Sequence, residues 1–164
     1  PWATFTDPEV ARVGLSEAEA AARHIPHDVY RYGLGDLDRA ITDGEAHGFV
    51  KVLAKPGTDR ILGATIVGEH AADLLIEFVA AMKHGFGLAD ILGTIHTYPT
   101  WAEANKYVAG EYQRTTATAG KLAVASALHA WSRGESGLAR VIRRRPAAGG
   151  GPTVHNASLP GTAG

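Results

Sequence analysis

The sequence predicts an α+β domain in which an antiparallel β-sheet is backed by helices. Two β-rich runs around a Pro-Gly turn, 49–54 and 61–68, indicate an antiparallel hairpin. Apolar residues at helical spacing follow in 71–84, and a second amphipathic helix is predicted over 101–114. Strands that pair locally and are followed by amphipathic helices are typical of this layered architecture.

The N-terminal part adds short strands and one short helix. Residues 2–6 and 10–13 are rich in β-forming residues and predict two strands joined by a turn. Ser16 and Glu19 have the spacing of a capping box, which predicts a helix over 17–23.

Three further elements complete the prediction. Residues 28–34 predict another strand, and 88–92 a short helical turn after Gly85, which ends the long helix. A last helix is predicted over 122–131. No run approaches the ~20 apolar residues of a membrane span, so we expect no membrane span.

Charge and composition divide the 164 residues unevenly. Up to Arg114 there are 10 basic and 16 acidic residues, and beyond it 6 basic and 1 acidic. The net charge of −1 argues against nucleic acid as a partner. We therefore predict one domain over 1–114, a basic and partly helical extension over 115–146, and a tail over 147–164 that we expect to be disordered. We expect the chain to be cytoplasmic.

Several common sites are not predicted. The absence of cysteine excludes a disulfide framework and a thiolate zinc site within this sequence. Gly33-Leu34-Gly35 lacks the third glycine and the helix of a dinucleotide-binding loop, so it predicts a turn. His24 and His27 have the spacing of metal ligands but no third ligand nearby, and we predict no metal site.

Chemistry is most strongly indicated in the segment 96–103, HTYPTWAE. His96 and Tyr98 stand in a short loop just before the last predicted helix, where polar aromatic side chains serve a core poorly. A structural alternative is that Thr100 and Glu103 form a capping box and the segment only begins that helix.

Four runs of this chain resemble the C-terminal dimerisation domain of the pyridine nucleotide-disulfide oxidoreductases. They are FTDPEVARVGLSE at 5–17, GFVKV at 48–52, ILGA at 61–64 and YPTWAE at 98–103. Lipoamide dehydrogenase, mercuric reductase and soluble transhydrogenase are members. The resemblance implies a homodimer, and N-terminal FAD and NAD(P) domains that are missing from this chain. It also implies that this chain alone binds no cofactor.

In such enzymes the loop enters the partner's active site beside the flavin and reads His-x-His-Pro-Thr-x-x-Glu. The second histidine is the acid/base, and the glutamate orients it. Here His96, Pro99, Thr100 and Glu103 match, but Tyr98 replaces the second histidine. A phenol that titrates near ~10 does not exchange protons at neutral pH as an imidazole near ~6.5 does.

From the resemblance we predict Tyr98, Glu103 and His96 as catalytic residues, and Tyr98 and Pro99 as contacts to the partner's flavin. The equivalent bond in relatives is cis, so we predict a cis Tyr98-Pro99 bond. Dithiol exchange of the lipoamide or glutathione kind is not expected with tyrosine in this place.

The predicted function is a dimerisation and active-site-completing domain of an FAD-dependent oxidoreductase that carries electrons from NAD(P)H through flavin. The isolated domain is expected to be inactive. One alternative is a degenerate lipoamide dehydrogenase-like protein, and another is an interaction module in which the Tyr98 loop has no catalytic role. The helices 71–84 and 101–114 are the candidates for the dimer face, which exposure of Leu74, Phe78 or Tyr107 would mark.

Overall fold

The computed structural model describes residues 1–117 together with Ser126, Leu128 and His129, each of which is helical. The rest of the helix predicted over 122–131 lies outside the described residues, as do nearly all of the predicted basic extension and the whole of the tail.

Five antiparallel strands form one sheet, as predicted. The strands are β1 (Trp2–Thr4), β2 (Val10–Gly14), β3 (Asp28–Gly33), β4 (Phe49–Ala54) and β5 (Ile61–Val67), in the spatial order β1-β2-β5-β4-β3. The predicted hairpin is the centre of this sheet, where Val52 pairs with Ala64 and Val50 with Ile66. All four of these side chains are fully buried.

Helices cover both faces of the sheet. The short helix α1 (Glu17–Ala22) begins with the predicted capping box, in which Ser16 and Glu19 each accept a hydrogen bond from the other's backbone N–H. Glu17 of α1 accepts a hydrogen bond from Lys51, whose side chain alternates along β4 with buried Val50 and Val52. Because neighbouring side chains of a strand point to opposite faces, α1 lies on the face of the sheet opposite to Val50 and Val52.

The main core lies between the sheet and three further helices. They are α3 (Ala71–His84), α4 (Leu88–Gly93) and α5 (Glu103–Thr116). Helix α3 packs on β2 and β5, and α5 packs on β3 and β4. The α3 boundaries agree with the prediction, and Gly85 ends it in the left-handed conformation at φ 79°.

The helix α2 (Asp38–Asp43) was not predicted from the sequence. It follows a 3-10 turn over Leu34–Asp36, and Leu37 at its N-cap provides no side-chain hydrogen bond. Six residues without a capping side chain are too few to give a clear helical period. Burial of Leu37 and Ala40 stabilises α2 instead.

Two residues proposed as markers of a dimer face lie in the core. Leu74 and Phe78 of α3 are buried against the sheet, so they are not part of an exposed interface. Tyr107 of α5 is partly buried, and its ring lies 5.1 Å from that of Tyr32. The large apolar residue that α3 exposes is Ile76.

Candidate functional site

The loop between α4 and α5 carries the residues predicted to be functional. Its Tyr98-Pro99 peptide bond is cis, which confirms that prediction. The Oγ1 atom of Thr100 donates a hydrogen bond to the Thr97 carbonyl oxygen over 2.6 Å and closes the turn around this bond. The loop therefore has a defined conformation from Thr97 to Thr100.

Tyr98 is the most exposed of the candidate catalytic residues, with 66% of its surface accessible. Its hydroxyl donates a 2.8 Å hydrogen bond to Oδ2 of Asp38, the first residue of α2. This bond and the charge of Asp38 raise the pKa of Tyr98 above its usual value. The phenol is thus protonated at neutral pH, and because its hydrogen is donated to Asp38, its oxygen can still accept a hydrogen bond.

His96 is withdrawn from solvent, with only 6% of its side chain accessible. Its Nδ1 atom lies 3.0 Å from the Thr94 carbonyl oxygen, and Nε2 lies 3.1 Å from Oε1 of Glu77 in α3. Both neighbours are acceptors, so both hydrogen bonds form only when each ring nitrogen carries a hydrogen. His96 thereby joins the loop to α3.

Asn105 extends this polar cluster into the core. Its Nδ2 atom donates to Oε2 of Glu77 and to the Leu74 carbonyl oxygen, both over 2.9 Å. The buried Oδ1 atom of Asn105 has no hydrogen-bond partner among the residues that the structure describes. The side-chain amide is therefore oriented by its two donated bonds, and Glu77 accepts from both His96 and Asn105.

Glu103 is buried and does not hydrogen-bond Tyr98. Its carboxylate accepts from the Thr100 backbone N–H over 3.2 Å and from the Tyr107 hydroxyl over 3.3 Å. The capping box considered for Thr100 and Glu103 is only half formed, because the Thr100 hydroxyl is donated to Thr97 and α5 begins after Ala102. Glu103 therefore stabilises the start of α5.

Sequence reasoning did not identify the acidic partners of the loop. Asp38 binds Tyr98, and Asp43 at the other end of α2 accepts a 3.0 Å hydrogen bond from Nε1 of Trp101. The Arg39 guanidinium bonds Asp43 over 2.7 Å and lowers the pKa of that carboxyl. Asp38 and Asp43 lie about 60 positions from the loop, so no local sequence pattern links them to it. A prediction of α2 from the sequence would have been needed to suggest these two partners.

The predicted site residues are not brought together into a hydrogen-bonded set. Within residues 1–117, no side chain of Tyr98, His96 or Glu103 bonds to another of the three. The described residues hold no group of three or more His, Cys, Asp or Glu side chains placed to bind a metal ion. None of the helices in the described part of the chain has the length and apolarity to cross a membrane.

Comparison with protein families gives one match that covers most of the chain. The model of the pyridine nucleotide-disulphide oxidoreductase dimerisation domain matches residues 1–109. Dihydrolipoyl dehydrogenase 3 of Haloarcula marismortui is 42% identical over 104 residues, which are 63% of this chain and 22% of that protein. Dihydrolipoamide dehydrogenase of Chaetomium thermophilum is 41% identical over 109 residues, 66% of this chain and 22% of that protein. The chain thus spans about a fifth of these relatives.

Solved structures share the fold. LpdA from Mycobacterium tuberculosis superposes with a TM-score of 0.64 at 24% identity, over 71% of this chain and 25% of that chain. The HOCl-induced flavoprotein disulfide reductase RclA from Escherichia coli superposes with a TM-score of 0.63 at 21% identity, over 66% of this chain and 25% of that chain. The five-stranded sheet and its helices therefore have the architecture found in these two proteins.

Proposed function

The chain belongs to the family of pyridine nucleotide-disulphide oxidoreductase dimerisation domains, and from this premise we propose that it pairs two subunits of an FAD-dependent NAD(P)H oxidoreductase. In this proposal the loop from His96 to Glu103 completes the active site of the partner subunit. The observation that carries the proposal is the exposed phenol of Tyr98, presented on a closed turn at the place of the family's catalytic histidine.

Exposed apolar side chains near the loop support pairing of subunits. Ile95 is 94% accessible, and Phe86 is also exposed. Phe86, Glu77 and Thr94 line one groove of about 220 Å³. Large apolar residues that remain exposed beside a groove are typical of surfaces that bind another protein. A second copy of the domain is the occupant that the family predicts.

The chemistry proposed for Tyr98 is hydrogen bonding without proton exchange. Its pKa is raised above an already high value, so the phenol does not act as a general base at neutral pH. The phenol offers a fixed polar atom to the substrate or to the partner's flavin. The flavin, when bound, supplies the chemistry of hydride and electron transfer. His96 bonds to Glu77 and is withdrawn from the loop surface, so we give it an indirect role.

A chimera tests this proposal. Residues 1–114 replace the matching domain of the Chaetomium thermophilum dihydrolipoamide dehydrogenase, which is 41% identical. We expect sedimentation to show that the chimera is a dimer, and we expect it to oxidise NADH with an artificial acceptor. We expect the 164-residue chain alone to bind no flavin and to show no turnover. A monomeric chimera would contradict the proposal.

Two variants of the chimera separate the proposed role from the alternative of a pure interaction module. Loss of turnover by Tyr98→Phe with the dimer intact supports completion of the partner's site. Loss of the dimer alone in Tyr98→Phe or Glu103→Ala favours the interaction module. Unchanged turnover of Tyr98→Phe with every acceptor would remove Tyr98 from the active site.

A further inference from the structure

Helix α2 contacts the functional loop through two carboxylates, one at each of its ends. Asp38 is its first residue and accepts the hydrogen of the Tyr98 hydroxyl, while Asp43 is its last and accepts the N–H of Trp101. These two aromatic residues flank Pro99 and Thr100. One short helix therefore holds both sides of the cis turn.

Helix α2 is held beside the loop by burial and by a side-chain pair. Leu37 and Ala40 are fully buried and fix α2 against the core. Arg39 bonds Asp43 and so restricts the carboxylate that receives Trp101. A helix fixed by burial and by side-chain pairing holds a hydrogen-bond acceptor in a constant place.

Glu103 does not supply this support. Its two carboxylate oxygens accept from the Thr100 backbone and from the Tyr107 hydroxyl, and the side chain is buried. The ionisable groups that face Tyr98 are Asp38 from α2 and Glu103 and Tyr107 from α5. Of these three, Asp38 is the one that bonds the phenol.

We propose that Asp38 is the positioning residue of the loop, which orients the Tyr98 side chain by accepting its hydroxyl hydrogen and leaves the phenol oxygen free as an acceptor. In this arrangement the carboxylate that orients the Tyr98 phenol comes from α2, and Glu103 at the start of α5 has a structural role. The meaning of this role for turnover rests on the proposed function, but the contact itself requires neither flavin nor a partner subunit.

The test is the titration of Tyr98 in the 164-residue chain. Phenolate absorbance is measured against pH for the wild type and for each variant below, each with and without Tyr98→Phe, and the difference within each pair isolates Tyr98. This pairing is needed because Asp38 also raises the pKa values of Tyr32 and Tyr107. We expect Asp38→Asn, which keeps the shape and removes the charge, to move the Tyr98 pKa to lower pH. Asp38→Ala also removes the carboxylate and should shift the Tyr98 pKa in the same direction. Far-UV circular dichroism checks that each variant is folded.

Asp36→Asn is the matched control, because Asp36 is an exposed acidic residue two positions away that does not bond Tyr98. We expect it to leave the Tyr98 titration in place. A Tyr98 pKa that stays unchanged in both Asp38 variants, or that moves equally in Asp36→Asn, would overturn the role of Asp38. An inactive or monomeric chimera with the Asp38-dependent titration intact would overturn the proposed function and leave this role standing.

Discussion

The Nε2 atom of His96 lies 3.1 Å from Oε1 of Glu77, a contact that joins the loop before Tyr98 to the long helix α3. On its other side, His96 contacts the Thr94 carbonyl oxygen at 3.0 Å. With an acceptor beside each ring nitrogen and the side chain buried, His96 stabilises the base of the loop. Tyr98, two residues later, is an exposed side chain of the same loop.

Removal of the Glu77 carboxylate should destabilise the fold. Glu77→Ala leaves donors of both His96 and Asn105 without their acceptor, and a buried donor without a partner costs about 1–3 kcal/mol. Urea unfolding measures the free energy of unfolding. Asp73→Ala on the same helix removes a carboxylate whose side chain is 88% exposed, and it should change this free energy by less than about 0.5 kcal/mol. Equal effects of the two variants would contradict the role of Glu77.

A negative charge at position 105 should destabilise the fold. Asn105→Asp replaces the amide that donates to Glu77 and to Leu74 with an acceptor, and it places a second carboxylate beside Glu77 in the core. We expect a loss of about 3 kcal/mol or more at neutral pH, as for an uncompensated buried charge. Asn105→Ala loses the same bonds without adding charge and should cost less. An aspartate variant as stable as the alanine variant in urea unfolding would refute this account.

The entry to β4 requires glycine. Gly48 has φ +115°, and a Cβ at this position would lie 1.9 Å from the Val67 carbonyl oxygen. Because both the conformation and the space exclude a side chain, Gly48→Ala should cost about 3 kcal/mol or more. Gly33→Ala is the control, since a Cβ at this position would extend into open space, and it should change stability by less than about 1 kcal/mol. Thermal unfolding of the two variants checks the difference.

Alkaline pH should destabilise the domain through Tyr32. Burial raises the pKa of Tyr32 from 10.0 to about 12. A group whose pKa is raised by folding stabilises the folded state fully below its unfolded pKa, so this contribution is lost as pH rises from about 10 to about 12. The slope is at most about 1.4 kcal/mol per pH unit. Urea unfolding at several pH values measures the free energy of unfolding, which should fall less steeply between pH 10 and pH 12 in Tyr32→Phe than in the wild type. The same slope in both proteins would contradict the role of Tyr32.

The sequence predicted the large elements because their signals are local. The capping box at Ser16 and Glu19, the Pro-Gly hairpin and the apolar stripe that ends at Gly85 each act within a few residues. Helix α2 was missed since its stability comes from burial of Leu37 and Ala40 against distant elements. Tertiary packing of this kind leaves no period in six residues.

The candidate site was predicted only in part for the same reason. The loop and its cis bond follow from contiguous residues that match a family pattern. The partners of the loop, Asp38 for Tyr98 and Glu77 for His96, lie 60 and 19 positions away in other helices. Their pairing depends on how the helices pack, so the withdrawn position of His96 could not be deduced from the sequence. The bond from the Thr100 backbone to Glu103 is local, and the capping-box spacing indicated it.

The most direct measurement of the central claim is dihydrolipoamide oxidation by the chimera with Tyr98 and by its Tyr98→His variant. General acid–base catalysis contributes about 10²–10⁴-fold, so we predict that histidine raises this rate by about 10²-fold or more. Flavin absorbance and sedimentation, measured on both chimeras, should agree and control for flavin content and dimer formation. Dihydrolipoamide oxidation by the Tyr98 chimera within a few-fold of the histidine variant would contradict the claim that Tyr98 removes proton exchange from this loop.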